Sequence, residues 1–321
     1  MNIEELILYY NEKPMKNVFI SNQAEYGGGN KYIGQLKECL KGFSPAYRIF
    51  LCDGYGWRRS WWYRLTTSAK VIAVVHTTHM GMQLKRRYRW YEKLLAKWYD
   101  RFWASGCHSV IVSNQFNADI LTKEGVNPLK IHVVYNYPDP PNVTISGSNI
   151  RVKHNIPADR IIIGTVARLS GAKDWKTVFK TMRRTIQRRQ NVHFLIVGDG
   201  ALYERLDLTV REMDIASHVT FAGFQENVWN YYLAMDIFVL CSFGEGVPNV
   251  ILEAMTMMLP IVSTNSGAVS EAISEYIVPI GDFYGIEKSI LKIIKSNIIA
   301  CKYDMTKFTK ESMISSLREA L

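Results

Sequence analysis

Residues 237–255 read Ile-Phe-Val-Leu-Cys-Ser-Phe-Gly-Glu-Gly-Val-Pro-Asn-Val-Ile-Leu-Glu-Ala-Met, and the fold follows from them. Ile237–Cys241 is an unbroken apolar run, as expected of a strand covered on both faces. A glycine-bracketed acid, Glu245, follows it. Pro248 then suits a first-turn helix position, where its fixed φ is pre-set and its missing N–H costs nothing. The other N–H groups of that turn can hold phosphate oxygens. Strand, tight loop and helix start together make one step of a parallel α/β sheet.

The same step recurs outward in both directions. Apolar runs at Asn17–Ile20, Tyr47–Cys52, Val71–His76, Ser109–Val112 and Ile131–Tyr135 predict strands in the first half. Ile161–Val166, His193–Val197, Val219–Phe221 and Ile261–Ser263 do so in the second. Between them, Trp175, Val178, Phe179, Met182 and Ile186 fall on one helical stripe, with Arg183, Arg184, Arg188 and Arg189 largely off it. The proline-rich, polar stretch Tyr137–Asn149 reads as a linker. The expected organisation is residues 1–140, a linker 141–149, a second domain 150–305 and a helix 306–321 returning toward the first.

Charge changes at the same linker. Residues 1–149 hold 19 Lys/Arg and 11 Asp/Glu, a net of +8; residues 150–321 hold 20 and 18, a net of +2. A basic half expects an anionic partner. Ordinary hydrophobic content of 48% over 321 residues excludes disorder, collagen and coiled coil. The five cysteines show no metal-ligand spacing, and Met-Asn-Ile-Glu-Glu is no signal-peptide start. The expected setting is cytoplasmic, with peripheral attachment to the inner membrane face as an option.

Several familiar sites are absent. Gly27-Gly28-Gly29 with Gly34 is followed by Gln35-Leu36, so it is no Walker A loop, and Tyr32 breaks a dinucleotide fingerprint. The glycine run still lets backbone approach a ligand closely, or is a plain tight turn. There is no HExxH and no GxSxG.

Three further features precede Glu245. Arg168 and Lys173 flank a small-residue loop after Ile161–Val166 and could grip a diphosphate from two sides. Gly198-Asp199-Gly200 and Phe221-Ala222-Gly223-Phe224 each end a strand. Glu253, eight residues after Glu245, is placed roughly two turns into the helix, so that one carboxylate can meet a sugar hydroxyl and the other a ribose diol.

With these residues in order, the chain resembles the retaining GT-B glycosyltransferases of family 4. The family's E-x7-E segment is matched by Glu245–Met255, its R-x4-K by Arg168 and Lys173, its GDG by Gly198–Gly200, and its F-x-G by Phe221 and Gly223. Thr264–Glu271 matches a later glycine-pair motif in part, with Ser266 in place of one glycine. The resemblance implies two Rossmann-like, doubly wound α/β domains facing a cleft, with the first shortened. It implies that Arg168 and Lys173 hold the donor diphosphate together with Val247, Pro248 and Asn249, and that Glu253 takes the ribose. Glu245 and His76 are the implied catalytic pair, Gly198, Asp199, Gly200, Gly223 and Phe224 lie near the nucleotide, and Gly27, Gly28 and Gly29 face the acceptor. The implied reaction moves a sugar, with retention, from a UDP- or GDP-sugar to a glycan or lipid-linked acceptor. No metal or cofactor is required, because cationic side chains stabilise the leaving diphosphate.

Leu84–Trp103 carries seven Lys/Arg and apolar residues at steps of three and four, including Trp98 and Phe102. It reads either as a basic helix lying on an anionic membrane leaflet or as a helix whose apolar stripe packs inward. Rival functions are a nucleotide-sugar epimerase or hydrolase on the same plan, a non-catalytic partner subunit, and a basic nucleic-acid-binding protein. The last leaves Glu245 and Glu253 unexplained and has no recognised module, so no nucleic-acid partner is expected.

Overall fold

The computed structural model describes residues 17–20, 28–43, 48–51, 64–65, 70–75, 90–140 and 148–321. The chain divides into two compact units, Met1–Asn136 with Thr306–Leu321, and Tyr137–Met305.

In the first unit, strands β1 (Asn17–Ile20), β2 (Arg48–Leu51), β3 (Lys70–Val75), β4 (Ser109–Val112) and β5 (Ile131–Val133) form one parallel sheet in chain order. Val71–Val75 and all of β4 are buried, the continuous burial that their apolar runs require. Trp103, from the helix Trp90–Gly106, is fully buried in the cluster with Val71, Ala73, Val110 and Val112, and its indole N–H donates to Asp100 Oδ1 at 2.8 Å. The helix Lys310–Ala320 packs into this same unit. Met313, Leu317 and Ala320 are its buried face, Ser109 Oγ donates to Ala320 O at 2.6 Å, and Lys310 pairs with Glu38 at 2.5 Å.

The glycine run does not form the loop expected of it. Gly28 and Gly29 open the helix Gly28–Cys39, because the apolar periodicity of Tyr32, Ile33 and Leu36 buries that segment as a helix. Gly27 lies outside the described residues.

In the second unit, β6 (Ile161–Val166), β7 (Val192–Val197), β8 (Val219–Gly223), β9 (Ile237–Leu240), β10 (Ile261–Thr264) and β11 (Ile277–Val278) form a parallel sheet in the order β11-β10-β9-β6-β7-β8. The chain winds outward from β6 in one direction, then returns to β9 and winds outward in the other. The helix Trp175–Arg188 buries Trp175, Val178, Phe179, Met182 and Ile186 against this sheet. Each such side chain contributes about 1.5–3 kcal/mol relative to exposure, so the stripe fixes which face turns inward. Asp174 caps the helix by accepting from Thr177 N at 3.1 Å and Thr177 Oγ1 at 2.7 Å.

No helix among the described residues is long and apolar enough to cross a membrane.

Candidate functional site

The reversal of strand order falls between β6 and β9. Loops leaving the carboxyl ends of two such strands diverge to opposite sides and leave a crevice, the usual ligand position in an open α/β sheet. The loop after β6 carries Arg168 and Lys173, and the loop after β9 carries Glu245. The structure brings these two loops together. Lys173 and Ser242 form an antiparallel bridge, and Asp174 N donates to Cys241 O at 3.0 Å. Burial, with Asp174 alongside, pushes the Cys241 thiol up, so it is an inert core residue beneath the two loops.

Lys173 Nζ donates to Glu245 Oε1. The side chains of this pair are 15% and 19% exposed, so they are largely but not wholly withdrawn from water. Arg168 stands on the exposed side of the same loop.

Gly198 and Gly200 serve the Arg168 loop directly. A Cβ on Gly198 would lie 2.1 Å from Ala167 O, and one on Gly200 2.5 Å from Leu169 O. Leu169 N donates to Asp199 O, Leu202 N to Leu169 O, and Gly198 N to Gly223 O. Asp199 Oδ1 accepts from Gly200 N at 2.7 Å, which holds the turn itself. The GDG segment is thus the backing on which the cationic loop is set. Beyond it, Phe224 projects 68% exposed at the carboxyl end of β8.

The Glu245 loop has a backing that sequence reasoning missed. Glu245 N donates to Ser266 O, and Ala268 N to Glu245 O. Gly267 sits at φ +75°, where a Cβ would come within 2.0 Å of Glu245 O. Thr264 Oγ1 accepts from Ser242 N at 3.0 Å and donates to Ser242 O at 3.1 Å, fixing the end of β9. The signal was present in the partial glycine-pair motif, where Gly267 is the glycine that remains.

Val247 and Pro248 are buried and Asn249 half-buried. Pro248 is the N-cap rather than a first-turn residue, at φ −70° and ψ 131°, and the helix runs Asn249–Thr256. Proline's φ suits an extended N-cap equally well. Glu253 is therefore just over one turn into the helix, not two. It is 6% exposed and accepts from Tyr232 Oη at 2.9 Å. Tyr232 was not anticipated; burial, then the neighbouring Glu253 carboxylate, raises its hydroxyl well above the usual phenol range. It is therefore a fixed donor.

His76 lies outside the described residues, as does Leu84–Arg89 of the basic stretch. In the rest of that stretch Trp103 is buried, while Trp98 and Phe102 are 67% and 45% exposed, so the proposed inward stripe fails at those two residues. The helix instead turns Trp103 and Asp100 toward the sheet.

The model of the glycosyl transferases group 1 matches residues 147–304, and that of Glycosyltransferase Family 4 matches residues 17–140. The UDP-Gal:alpha-D-GlcNAc-diphosphoundecaprenol alpha-1,3-galactosyltransferase of Escherichia coli is 26% identical over 242 residues, covering 72% of this chain and 62% of that protein. The lipopolysaccharide core biosynthesis glycosyltransferase LpsE of Rhizobium meliloti is 29% identical over 151 residues, 46% of this chain and 43% of LpsE. The matches span less than two thirds of these relatives' lengths. Among solved structures, Anabaena HepE in complex with UDP-glucose superposes with a TM-score of 0.73 at 16% identity, covering 96% of this chain and 100% of that one. The lipopolysaccharide outer core galactosyltransferase WaaB in its apo form gives 0.68 at 17%, covering 95% and 99%. The fold is GT-B, and the two family models between them match most of the sequence, so the chain belongs to the glycosyltransferases of family 4.

Proposed function

We propose that the protein transfers a sugar from a nucleoside-diphosphate sugar, of the UDP or GDP class, to a hydroxyl of a glycan or lipid-linked acceptor, with retention of configuration. The observation that carries this reading is the Lys173–Glu245 pair at the strand-order reversal, beside the start of the helix Asn249–Thr256. An ammonium has three donors. One meets Glu245 and the others can reach phosphate oxygens, with Arg168 closing from the exposed side. The helix N-terminus at Val247-Pro248-Asn249 adds partial positive charge. Glu245 is then placed to accept from the donor sugar and Glu253, held by Tyr232, from the ribose. Gly198–Gly200, Gly223 and Phe224 border the nucleotide. His76 would hydrogen-bond the transferred sugar, and Gly27–Gly29 would meet the acceptor.

In the reaction the anomeric carbon–phosphate oxygen bond breaks. The acceptor oxygen bonds the same carbon on the same face, and the acceptor proton passes to the departing phosphate. Arg168, Lys173 and the helix start stabilise the charge that develops on that phosphate, so no metal is needed. The E. coli relative is named for UDP-Gal and an undecaprenyl-diphosphate acceptor, and the HepE complex holds UDP-glucose. The first supports this donor and acceptor class and the second the donor class alone. The same reading puts the reaction in surface-polysaccharide building, on the inner face of the membrane.

Thermal-shift measurement against UDP-, GDP-, ADP- and dTDP-sugars tests the donor site. Stabilisation by one base class is expected, and NMR of the product anomer then reads retention. No stabilisation by any of the four removes the proposal.

A further inference from the structure

A cavity of about 520 Å³ opens in the second unit between the helices Trp175–Arg188 and Tyr203–Glu212, beside the loop that carries Gly171 and Lys173. Its walls are apolar. Trp175 and Phe179 come from the first helix, Leu202, Leu206 and Met213 from the second and its two ends, and Phe243 from the loop after β9. The polar atoms on these walls are already engaged. The indole N–H of Trp175 donates to Ser170 O at 3.2 Å, and Thr209 Oγ1 donates to Arg205 O at 2.8 Å.

Its charge is one-sided. Lys173, Lys176, Lys180 and Arg205 line it, against a single acid, Asp174. Asp174 is buried, and its two oxygens accept from Thr177 N and Thr177 Oγ1. Lys173 is paired with Glu245, and Lys180 Nζ lies 4.8 Å over the ring of Phe283. Lys176 and Arg205, one on each helix, are exposed at the rim.

This cavity is distinct from the crevice at the strand-order reversal. Ile237 and Val239 of β9 belong to the same core cluster as Trp175 and Phe179, whereas Phe238 packs its ring against Tyr232, the partner of Glu253. Alternate residues of a strand point to opposite faces. The cavity therefore lies on the face of the sheet away from Glu253 and the helix Asn249–Thr256. Of the residues proposed to hold the donor, Lys173 alone also lines it.

We infer that this cavity binds one molecule of an anionic amphiphile, with a phosphate or carboxylate head on a short aliphatic or aryl body. The head meets Lys176 and Arg205 at the rim, where charge-assisted hydrogen bonds form. The body displaces water from Trp175, Phe179 and Leu206. The volume falls in the range of about 300–1,000 Å³ that holds a single small ligand. A nucleotide matches the cations but not the walls, because the polar edge of its base would enter with no side chain left to pair it. The inference is independent of the donor reading, since it needs neither a nucleotide nor transfer.

Calorimetric titration of the full chain with octyl phosphate, kept below its micelle concentration, tests it. The expected result is a single site. Inorganic phosphate lacks the body and 1-octanol lacks the charge, so each binds at least about tenfold more weakly. K176E/R205E lowers the affinity for octyl phosphate by about tenfold or more. Thr209→Phe puts a ring into the cavity and abolishes binding. Both variants keep the wild-type melting temperature. Lys295→Glu, at an exposed cation outside the cavity, changes nothing. The inference falls if octyl phosphate does not bind, if UMP binds as tightly as octyl phosphate, or if both cavity variants bind like wild type. It falls equally if Lys295→Glu lowers the affinity as much as K176E/R205E, which would mean attraction to net charge alone.

Discussion

Lys173 and Glu245, 72 residues apart in sequence, form one partly buried ion pair across the point where the second sheet reverses its strand order. Each loop is braced from behind by glycine-tight backbone, the first by Gly198 and Gly200, the second by Gly267. The backbones that carry the two charges are therefore held at the crevice.

Replacing Lys173 with Met removes the charge and keeps the stem. Transfer is expected to fall by about 10²–10³-fold, the size seen when one group stabilising transition-state charge is lost, and the nucleoside diphosphate alone should bind more weakly. Glu245→Gln should keep nucleoside diphosphate binding and lose turnover. Calorimetry with the diphosphate, set beside steady-state kinetics, separates the two variants; equal loss of diphosphate affinity in both contradicts the separate roles.

Glu253→Ala should abolish transfer and weaken nucleotide binding, and unchanged turnover would overturn its assignment. Tyr232→Phe leaves the buried Glu253 short of a donor, which costs about 1–3 kcal/mol. That cost is read as a lowered urea midpoint of the second unit.

Gly267→Ala must accommodate a Cβ 2.0 Å from Glu245 O and a positive φ. A loss of at least about 2 kcal/mol is expected. Gly171→Ala, in the cationic loop but with nothing within 4 Å of its Cβ, should be near neutral. Paired denaturation curves check the contrast.

His193 gives the second unit a pH dependence. It is 5% exposed, its Nε2 lies 2.8 Å from Thr220 Oγ1, and burial, then Arg160, His218, Arg151 and His154, lowers its pKa to about 4. The unfolded imidazole titrates near 6.5. Between these values the unfolded chain binds more protons, so stability is intact above about pH 7 and is lost as pH falls toward 4, by up to about 3 kcal/mol. His193→Gln should flatten the fall in melting temperature between neutral and acid pH.

In the proposed reaction side-chain cations stabilise the diphosphate, so EDTA should leave transfer unchanged within about twofold. Loss of activity on chelation, restored by a divalent ion, would contradict this.

Much of the architecture was legible because buried parallel strands are unbroken apolar runs. Asn17–Ile20, Ser109–Val112 and Ile161–Val166 sit where their composition places them, and the Trp175 stripe faces inward as its spacing requires. Ile277–Val278 was not, since two residues make no pattern. The cations and carboxylates proposed for the donor side could be picked out as a string, but their braces could not. Tyr232 reaches Glu253 across 21 residues, and Gly267 meets Glu245 only through backbone packing. The glycine run misled at Gly28–Gly29, which open a helix, and of the two readings left open for Leu84–Trp103 the inward stripe fails at Trp98 and Phe102. Apolar spacing says that a helix exists, and the sheet it meets decides which side is covered.

The helix Lys310–Ala320, locked to Ser109 and Glu38, has a bearing on the order of events during synthesis. The second unit is one uninterrupted segment, Tyr137–Met305, and can close as soon as it leaves the ribosome. The first is finished only when a helix translated some two hundred residues after Ser109 arrives. Until then the apolar flank that receives Met313 and Leu317 stays open, and it is the surface that a chaperone would meet on a nascent chain.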